Sequence, residues 1–385
     1  MVRSPFKEIA IVGVAESDLG RVPGKTAAQL AAEASKAALE DAGLTKDEVD
    51  GVFTFGLEWM PSLFLAEYLN LRPRYSDSTF LGGSTPVAFV EHAAAAITTG
   101  LCQVALIAYG STQASDRSRK LGGRAMEPWF PAMQFEAPFG LLLPIGAYAM
   151  AATRHMHLYG TTSERLAEIA VATRKWAALN PKAMKREPIT IADVLASPMI
   201  SSPLHLLDCC LVTDGGGAVV VTTKERAKDL RRRLVTVLGA AEGHTHQIIS
   251  QMPDLCRTGA VETGARAFAM AGLRPEDIDV AEIYDSFTIT VLLSLEDLGF
   301  CEKGEGGAFI QGQRTAPGGP FPMNTSGGGL SYCHPGVFGI FLIIEAVHQL
   351  RGEAEERQVS GAEVALVHGT GGVFSSHGTL ILGRG

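Results

Sequence analysis

The 385-residue sequence contains no long basic run, no long apolar run and no CxxC motif. Its 33 Lys and Arg are outnumbered by 41 Asp and Glu, for a net charge of −8. Without a basic patch there is no electrostatic footprint for DNA or RNA, which argues against a nucleic-acid partner. No stretch reaches the roughly 18 apolar residues of a membrane span. The N-terminus, MVRSPFKEIAIVGVAES, runs into a strand-like segment with no signal-peptide pattern, so neither a membrane nor secretion is expected. The six cysteines, at 102, 209, 210, 256, 301 and 333, form neither a CxxC pair nor a Cys/His ligand spacing. A disulfide framework and a structural metal are thus not expected, and a cytoplasmic location fits best.

Glycine, by contrast, is plentiful: 43 residues, above the usual share of roughly 7%. The glycines cluster in short motifs between apolar segments, which points to tight turns and close backbone approaches. The chain also repeats itself. ALEDAGLTKDEVD (38–50) is echoed by AFAMAGLRPEDID (267–279), and GLCQVALIAYG (100–110) by EVALVHG (363–369). In each half a β-rich run (9–14; 234–238) leads to a helix (about 27–42; about 258–271) that ends in Ala-Gly, a helix stop signal. A short strand follows (52–55; 280–284), then a Gly-rich turn, a buried helix (about 84–98; about 336–350) and a strand (104–108; 364–367). The strands are short continuous apolar runs, the pattern of two-sided burial. Two α/β halves are therefore expected, 1–225 and 226–385, in a layered structure. Residues about 113–206, which include MEPWFPAMQFEAPFGLLLP, have no counterpart in the second half and read either as a lid over a site or as an extra structural subdomain.

Four segments carry a resemblance: LHLLDCCLVTDGGGAVVVT (204–222), AEIYDSFTITVLLSLEDLGFC (281–301), NTSGGGLSYCHPGVFG (324–339) and HGTGGVFSSHGTLILG (368–383). In this order they resemble the thiolase superfamily, specifically the sterol-carrier-protein type of thiolase and its aldolase relatives. The resemblance implies an α/β thiolase fold, two duplicated βαβαβαββ halves in an αβαβα sandwich, here with an inserted loop subdomain. It also assigns positions. The nucleophilic cysteine of a thiolase falls at Gly83, beside Ser84, and the cysteine of its Cys-x-Gly-Gly turn falls at Gly369, before Thr370, Gly371 and Gly372. The HP motif survives as His334-Pro335, and the HDxF motif reads Tyr284-Asp285-Ser286-Phe287.

A thiolase holds its acyl group on one cysteine and moves α-protons with the other. With glycine at both places neither step has an agent, and Ser84 has no evident base beside it. By the resemblance, His334 donates a hydrogen bond to a thioester oxygen and stabilises an enolate. An enzyme that keeps the enolate site and drops the nucleophile can still break a carbon–carbon bond if a base takes a β-hydroxyl proton. A tyrosine, with an ordinary pKa near 10, suits that base. Tyr284 and Tyr332 are the candidates, and the thiolase-like aldolases that shorten steroid side chains resemble this chain at both. Gly83, Ser84, Asn324, Gly371 and Gly372 are assigned to substrate and oxyanion binding. Cys333 is an alternative nucleophile, Cys209 and Cys210 read as packing, His368 and His377 as pocket lining, and Asp285 as an orienting group. The expected activity is retro-aldol cleavage of a β-hydroxyacyl-CoA; an atypical acyltransferase and an inactive acyl-CoA-binding subunit are the alternatives. Coenzyme A enters as part of the substrate, with no tightly bound cofactor and no metal. The resemblance further implies a homodimer through an edge strand near 79–81, and a small OB-fold, zinc-ribbon partner that completes a heterotetramer.

Overall fold

The computed structural model describes residues 5–118, 127–141, 144–230 and 232–385. The first half runs β1 (Ile9–Glu16), α1 (Ala27–Ala42), β2 (Gly51–Phe53), α2 (Pro61–Leu69), β3 (Tyr75–Asp77), α3 (Thr85–Thr98) and β4 (Ala105–Ser111). After an insertion it ends with β7 (Gly215–Thr223) and the short α8 (Lys224–Ala227). The insertion holds α4 (Pro131–Phe135), α5 (Ile145–Tyr159), α6 (Ser163–Leu179), α7 (Ile191–Ala196) and a hairpin of β5 (Met199–Ser201) and β6 (Leu204–His205). The second half comprises β8 (Val235–His244), α9 (Ala260–Ala271), β9 (Val280–Ile283), α10 (Thr288–Asp297), α11 (Gly306–Phe309), α12 (Gly339–Arg351), β10 (Val364–Gly371) and β11 (Ser376–Arg384).

Local sequence explains the element ends. Thr26 and Gln29 make a reciprocal capping box at the start of α1, and Gly43 closes that helix with φ 73°. Gly272 closes α9 in the same way, with φ 71°. The helices also reach their strands by one device used twice. A Cβ on Gly13 of β1 would lie 2.1 Å from the Ala38 carbonyl oxygen of α1, and one on Gly239 of β8 would lie 2.2 Å from the Ala267 carbonyl oxygen of α9. Only glycine permits that approach.

Nine strands form one sheet in the order β3-β2-β4-β7-β1-β8-β11-β10-β9. The halves mirror each other. β2 is parallel to β4, as β9 is to β10, and also to the edge strand β3, while the pairs β4–β7, β7–β1, β10–β11 and β11–β8 are antiparallel. The half-sheets meet at β1 and β8, through only Ala10↔Thr236 and Ile11↔Val235. Helices α3 and α12 pack on each other and on strands of both halves, while α1 covers β1, β4 and β7 and α9 covers β8 and β11. This is the layered arrangement expected from the resemblance. The middle helices are mostly apolar and buried because both of their faces are covered.

Two details differ from the symmetric expectation. The second half has no full counterpart of β3: a single bridge, Ala281↔Met323, stands in its place. Asn324 explains it. Its backbone turns left-handed (φ 54°), and its Oδ1 accepts the Ile283 N–H at 2.8 Å, so a side chain takes the bond a strand would have made. The edge strand of the first half is Tyr75–Asp77, not residues 79–81. Thr79 caps Asp77 Oδ1 through both its N–H and its hydroxyl, which ends the strand.

Candidate active site

A cleft of about 940 Å³ opens where the ends of the two halves and the insertion meet. Its walls include Phe55, Phe80 and Tyr109 from the first half, Pro144 and Tyr148 from the insertion, and Tyr284, His334 and the 370–372 turn from the second. The insertion thus supplies part of the wall; its residues 119–126 and 142–143 lie outside the described residues.

Tyr284 follows directly on β9 and is fixed there by its N–H, which donates to the His368 carbonyl at 2.9 Å. Its phenol oxygen lies 2.9 Å from His334 Nε2 and accepts the backbone N–H of Phe338 at 3.1 Å. Phe338 is the N-cap of α12, so the positive end of a buried helix points at that oxygen. The rings of Tyr284 and His334 meet edge to face. The two residues expected to share the chemistry are therefore in direct contact.

Gly83 explains why the tyrosine fits. A Cβ at that position would fall 2.5 Å from Tyr284 Cε2, 2.7 Å from its Cζ and 2.3 Å from the Thr370 carbonyl oxygen. The ring of Tyr284 occupies the space into which a cysteine side chain would project. The absent nucleophile and the tyrosine are thus one substitution in spatial terms.

The histidine loop is held from both sides. Gly328–Tyr332 forms a single π-helical turn. Within it the N–H groups of Gly329 and Leu330 donate to the Asp285 carboxylate at 2.6 and 3.1 Å. Burial pushes the Asp285 carboxyl up to about 7, against the pull of those N–H donors. From the other side, His334 N–H donates to Thr213 Oγ1 at 3.0 Å, and Thr213 N–H to the His334 carbonyl at 3.2 Å. Tyr109 closes the loop by donating its hydroxyl to the Pro335 carbonyl at 2.7 Å.

The remaining expected residues sort into two groups. Gly83, Gly371 and Gly372 line the cleft with Tyr284 and His334. Ser84, Asn324 and Tyr332 do not. The Ser84 hydroxyl is buried against Ser376 Oγ at 2.7 Å, and Asn324 braces β9. Tyr332 is packed in the core edge to face with Phe341, and burial, with the Glu16 carboxylate nearby, raises its hydroxyl well above 10. Cys333 is fully buried, and desolvation with Glu16 and Asp285 keeps its thiol protonated. That leaves it no thiolate to attack with. His368 and His377 are buried 3.3 Å apart behind the turn; burial holds His368 well below its usual value and His377 down at about 4.

Sequence reasoning did not reach three parts of this site. The Phe338 N–H is a backbone group with no residue signature. The stacked rings Phe80–Phe55–Tyr109, at centroid distances of 5.4 and 5.0 Å, come from three separate loops and strands. Gln113 sits beyond β4 in YGSTQAS, where polar residues after a buried strand were the available signal. Among the described residues no group of three His, Cys, Asp or Glu side chains is placed to hold a metal ion.

Known proteins match this architecture. Residues 241–384 match the family described as "Thiolase C-terminal domain-like". A 17-hydroxy-3-oxo-4-pregnene-20-carboxyl-CoA lyase of Mycobacterium tuberculosis is 38% identical, over 98% of this chain and 99% of that protein. A steroid side-chain-cleaving aldolase of Thermomonospora curvata is 37% identical over 94% and 95%. The solved structure of an "Ltp2-ChsH2(DUF35) aldolase" superposes with a TM-score of 0.90 at 36% identity, covering 98% of both chains. Identity at that level over nearly the whole length leaves one conclusion: the chain belongs to the thiolase superfamily, in the same family as these thiolase-fold aldolases.

Proposed function

We propose that the protein is a carbon–carbon lyase that cleaves a β-hydroxyacyl-CoA with a bulky acyl group into a shorter acyl-CoA and a ketone or aldehyde. The observation that carries this reading is Tyr284 packed against Gly83 and bonded to His334 and to the Phe338 N–H. Tyr284 takes the β-hydroxyl proton. The Cα–Cβ bond breaks, its electron pair passes to the thioester as an enolate, and the carbonyl product leaves. The enolate is then reprotonated at Cα, which returns the proton taken from the hydroxyl and leaves the enzyme as it began. The N–H at the head of α12 holds the Tyr284 oxygen, and as that oxygen takes the substrate proton its own passes to His334 Nε2, whose N–H then donates to the thioester oxygen. Gly371 and Gly372 bring backbone close to the thioester, while Ser84 and Asn324 act from behind the wall. The stacked rings of Phe80, Phe55 and Tyr109 suit a flat, polycyclic acyl group of the kind named for the two relatives.

An acyltransferase would need a thiolate, and the buried, protonated Cys333 does not supply one. The test is incubation with a panel of β-hydroxyacyl-CoAs and mass spectrometry of the products. A shortened acyl-CoA with an equivalent of ketone or aldehyde is expected, and no acyl adduct on the protein. A stable adduct on Cys333 would overturn the reading.

For assembly, the edge strand β3 with the exposed Trp59, Met60 and Phe80 nearby supports a homodimer through that edge. The similarity to an aldolase whose name joins two components, Ltp2 and ChsH2(DUF35), supports a second component, which we take to be the small OB-fold, zinc-ribbon partner that the resemblance implies. Light scattering that gives a clean monomer would rule out the dimer, and CoA binding as tight alone as with the partner would count against the partner.

A further inference from the structure

Buried polar atoms are almost always paired, so an unpaired one in the wall of a cleft calls for a partner such as a water, an ion or a ligand. Gln113 Oε1 is such an atom: it is buried, has no hydrogen-bond partner, and belongs to a residue that lines the cleft of Tyr284 and His334. Its position is built rather than incidental. The buried Asp214 carboxylate accepts the N–H groups of Ala114 and Ser115, next to Gln113 in the chain, at 2.9 and 3.0 Å. It also accepts the Val22 N–H at 2.7 Å. The neighbouring Thr213 holds both backbone groups of His334. One dipeptide, Thr213-Asp214, therefore fixes the Gln113 loop and the His334 loop against each other. Gly336 completes the fit. With φ at +91° and no side chain, it lets the Gln113 amide lie across it, where a Cβ would come within 1.7 Å of Nε2.

We propose that Gln113 is a substrate-binding residue whose Oε1 accepts the N–H of the pantetheine amide nearest the thioester. This rests on the reading of the cleft as an acyl-CoA site. A carbonyl oxygen can only accept, so the ligand must offer a donor. The thioester oxygen and sulfur are not donors, and the β-hydroxyl proton goes to Tyr284. The amide N–H of the pantetheine arm is the donor that remains within reach of the reacting end.

The test measures dissociation constants for three thioesters of one acyl group that lacks a β-hydroxyl, so that nothing turns over: the CoA thioester, the N-acetylcysteamine thioester, which keeps the amide, and the butanethiol thioester, which does not. Gln113→Leu should weaken the first two by about tenfold, the loss of one buried hydrogen bond, and leave the third within about twofold. Gln113→Glu keeps an acceptor and should stay within about threefold of wild type for the N-acetylcysteamine thioester. This separates a lost acceptor from a disturbed loop. An equal loss with the butanethiol thioester, or no loss with any, overturns the assignment. Should wild type release no ketone or aldehyde from any β-hydroxyacyl-CoA while these differences hold, the lyase reading falls and the role of Gln113 stands.

Discussion

Replacing Tyr284 by phenylalanine removes one oxygen and leaves the ring, so it isolates what that oxygen does. The ring contacts should survive, since Tyr284 meets His334 and Phe338 edge to face at centroid distances of 5.7 and 5.9 Å. Two hydrogen bonds are lost, and the buried Phe338 N–H loses its acceptor, at a cost of about 1–3 kcal/mol. Against a typical stability of about 5–15 kcal/mol the protein stays folded. If the oxygen takes the hydroxyl proton, kcat should fall by about 10² to 10⁴, or roughly 3–5 kcal/mol of transition-state stabilisation. His334→Ala should lower kcat by a comparable factor. The 2.9 Å contact between the two groups adds a sharper expectation. Residues that act as one unit are not additive, so the double variant should fall no more than about tenfold below the worse single one. The assay is the rate of carbonyl-product release from a β-hydroxyacyl-CoA, with a urea melt of each variant as control. A Tyr284→Phe enzyme within about threefold of wild type would make Tyr284 a packing residue. A double variant at the full product of the single effects would mean that the two groups act independently.

Two further outcomes follow from the same geometry. Gly83→Ala should destabilise the protein by about 1–3 kcal/mol through overpacking and displace the Tyr284 ring, so that activity falls with stability; a variant that melts and turns over like wild type would contradict the contact. Asp285 gives a pH signature. Its carboxyl stands at about 7 in the folded protein and at 3.8 otherwise, so between those values the folded state holds a proton that the unfolded chain has released. Its contribution is present below about 4 and lost as pH rises to 7, by at most about 4 kcal/mol. Asp285→Asn does not titrate, so urea melts should show wild type losing stability relative to the variant across that window, and a constant difference would refute it.

Much of the fold was legible in the order of residues, because duplication writes the same local rules twice. The Ala-Gly helix ends at Gly43 and Gly272, the apolar runs of β4 and β10 and the largely apolar, buried α12 each follow from local propensity and burial pattern. The missing third strand of the second half was not legible, since it depends on one side chain, Asn324, bonding to a strand 41 residues away. The same divide runs through the site. Sequence alone named Tyr284 and His334 and noted glycine where thiolases resemble one another in carrying cysteine, because residue types in motif order identify chemistry.

Tertiary structure decided which of the named residues meet. Tyr332 and Tyr284 were both candidates as letters. The π-helical turn ending at Tyr332 sends that residue into the core, while the end of β9 sends Tyr284 to the cleft. The link between Gly83 and Tyr284, the N–H of Phe338 aimed at the phenol and the loop holding Gln113 depend on contacts between segments far apart in the chain. Local sequence fixes the dihedral angles of a strand, a helix or a turn, but not which distant segment will fill the space beside it. Packing of the two halves around α3 and α12 makes that choice, and the site is built from it.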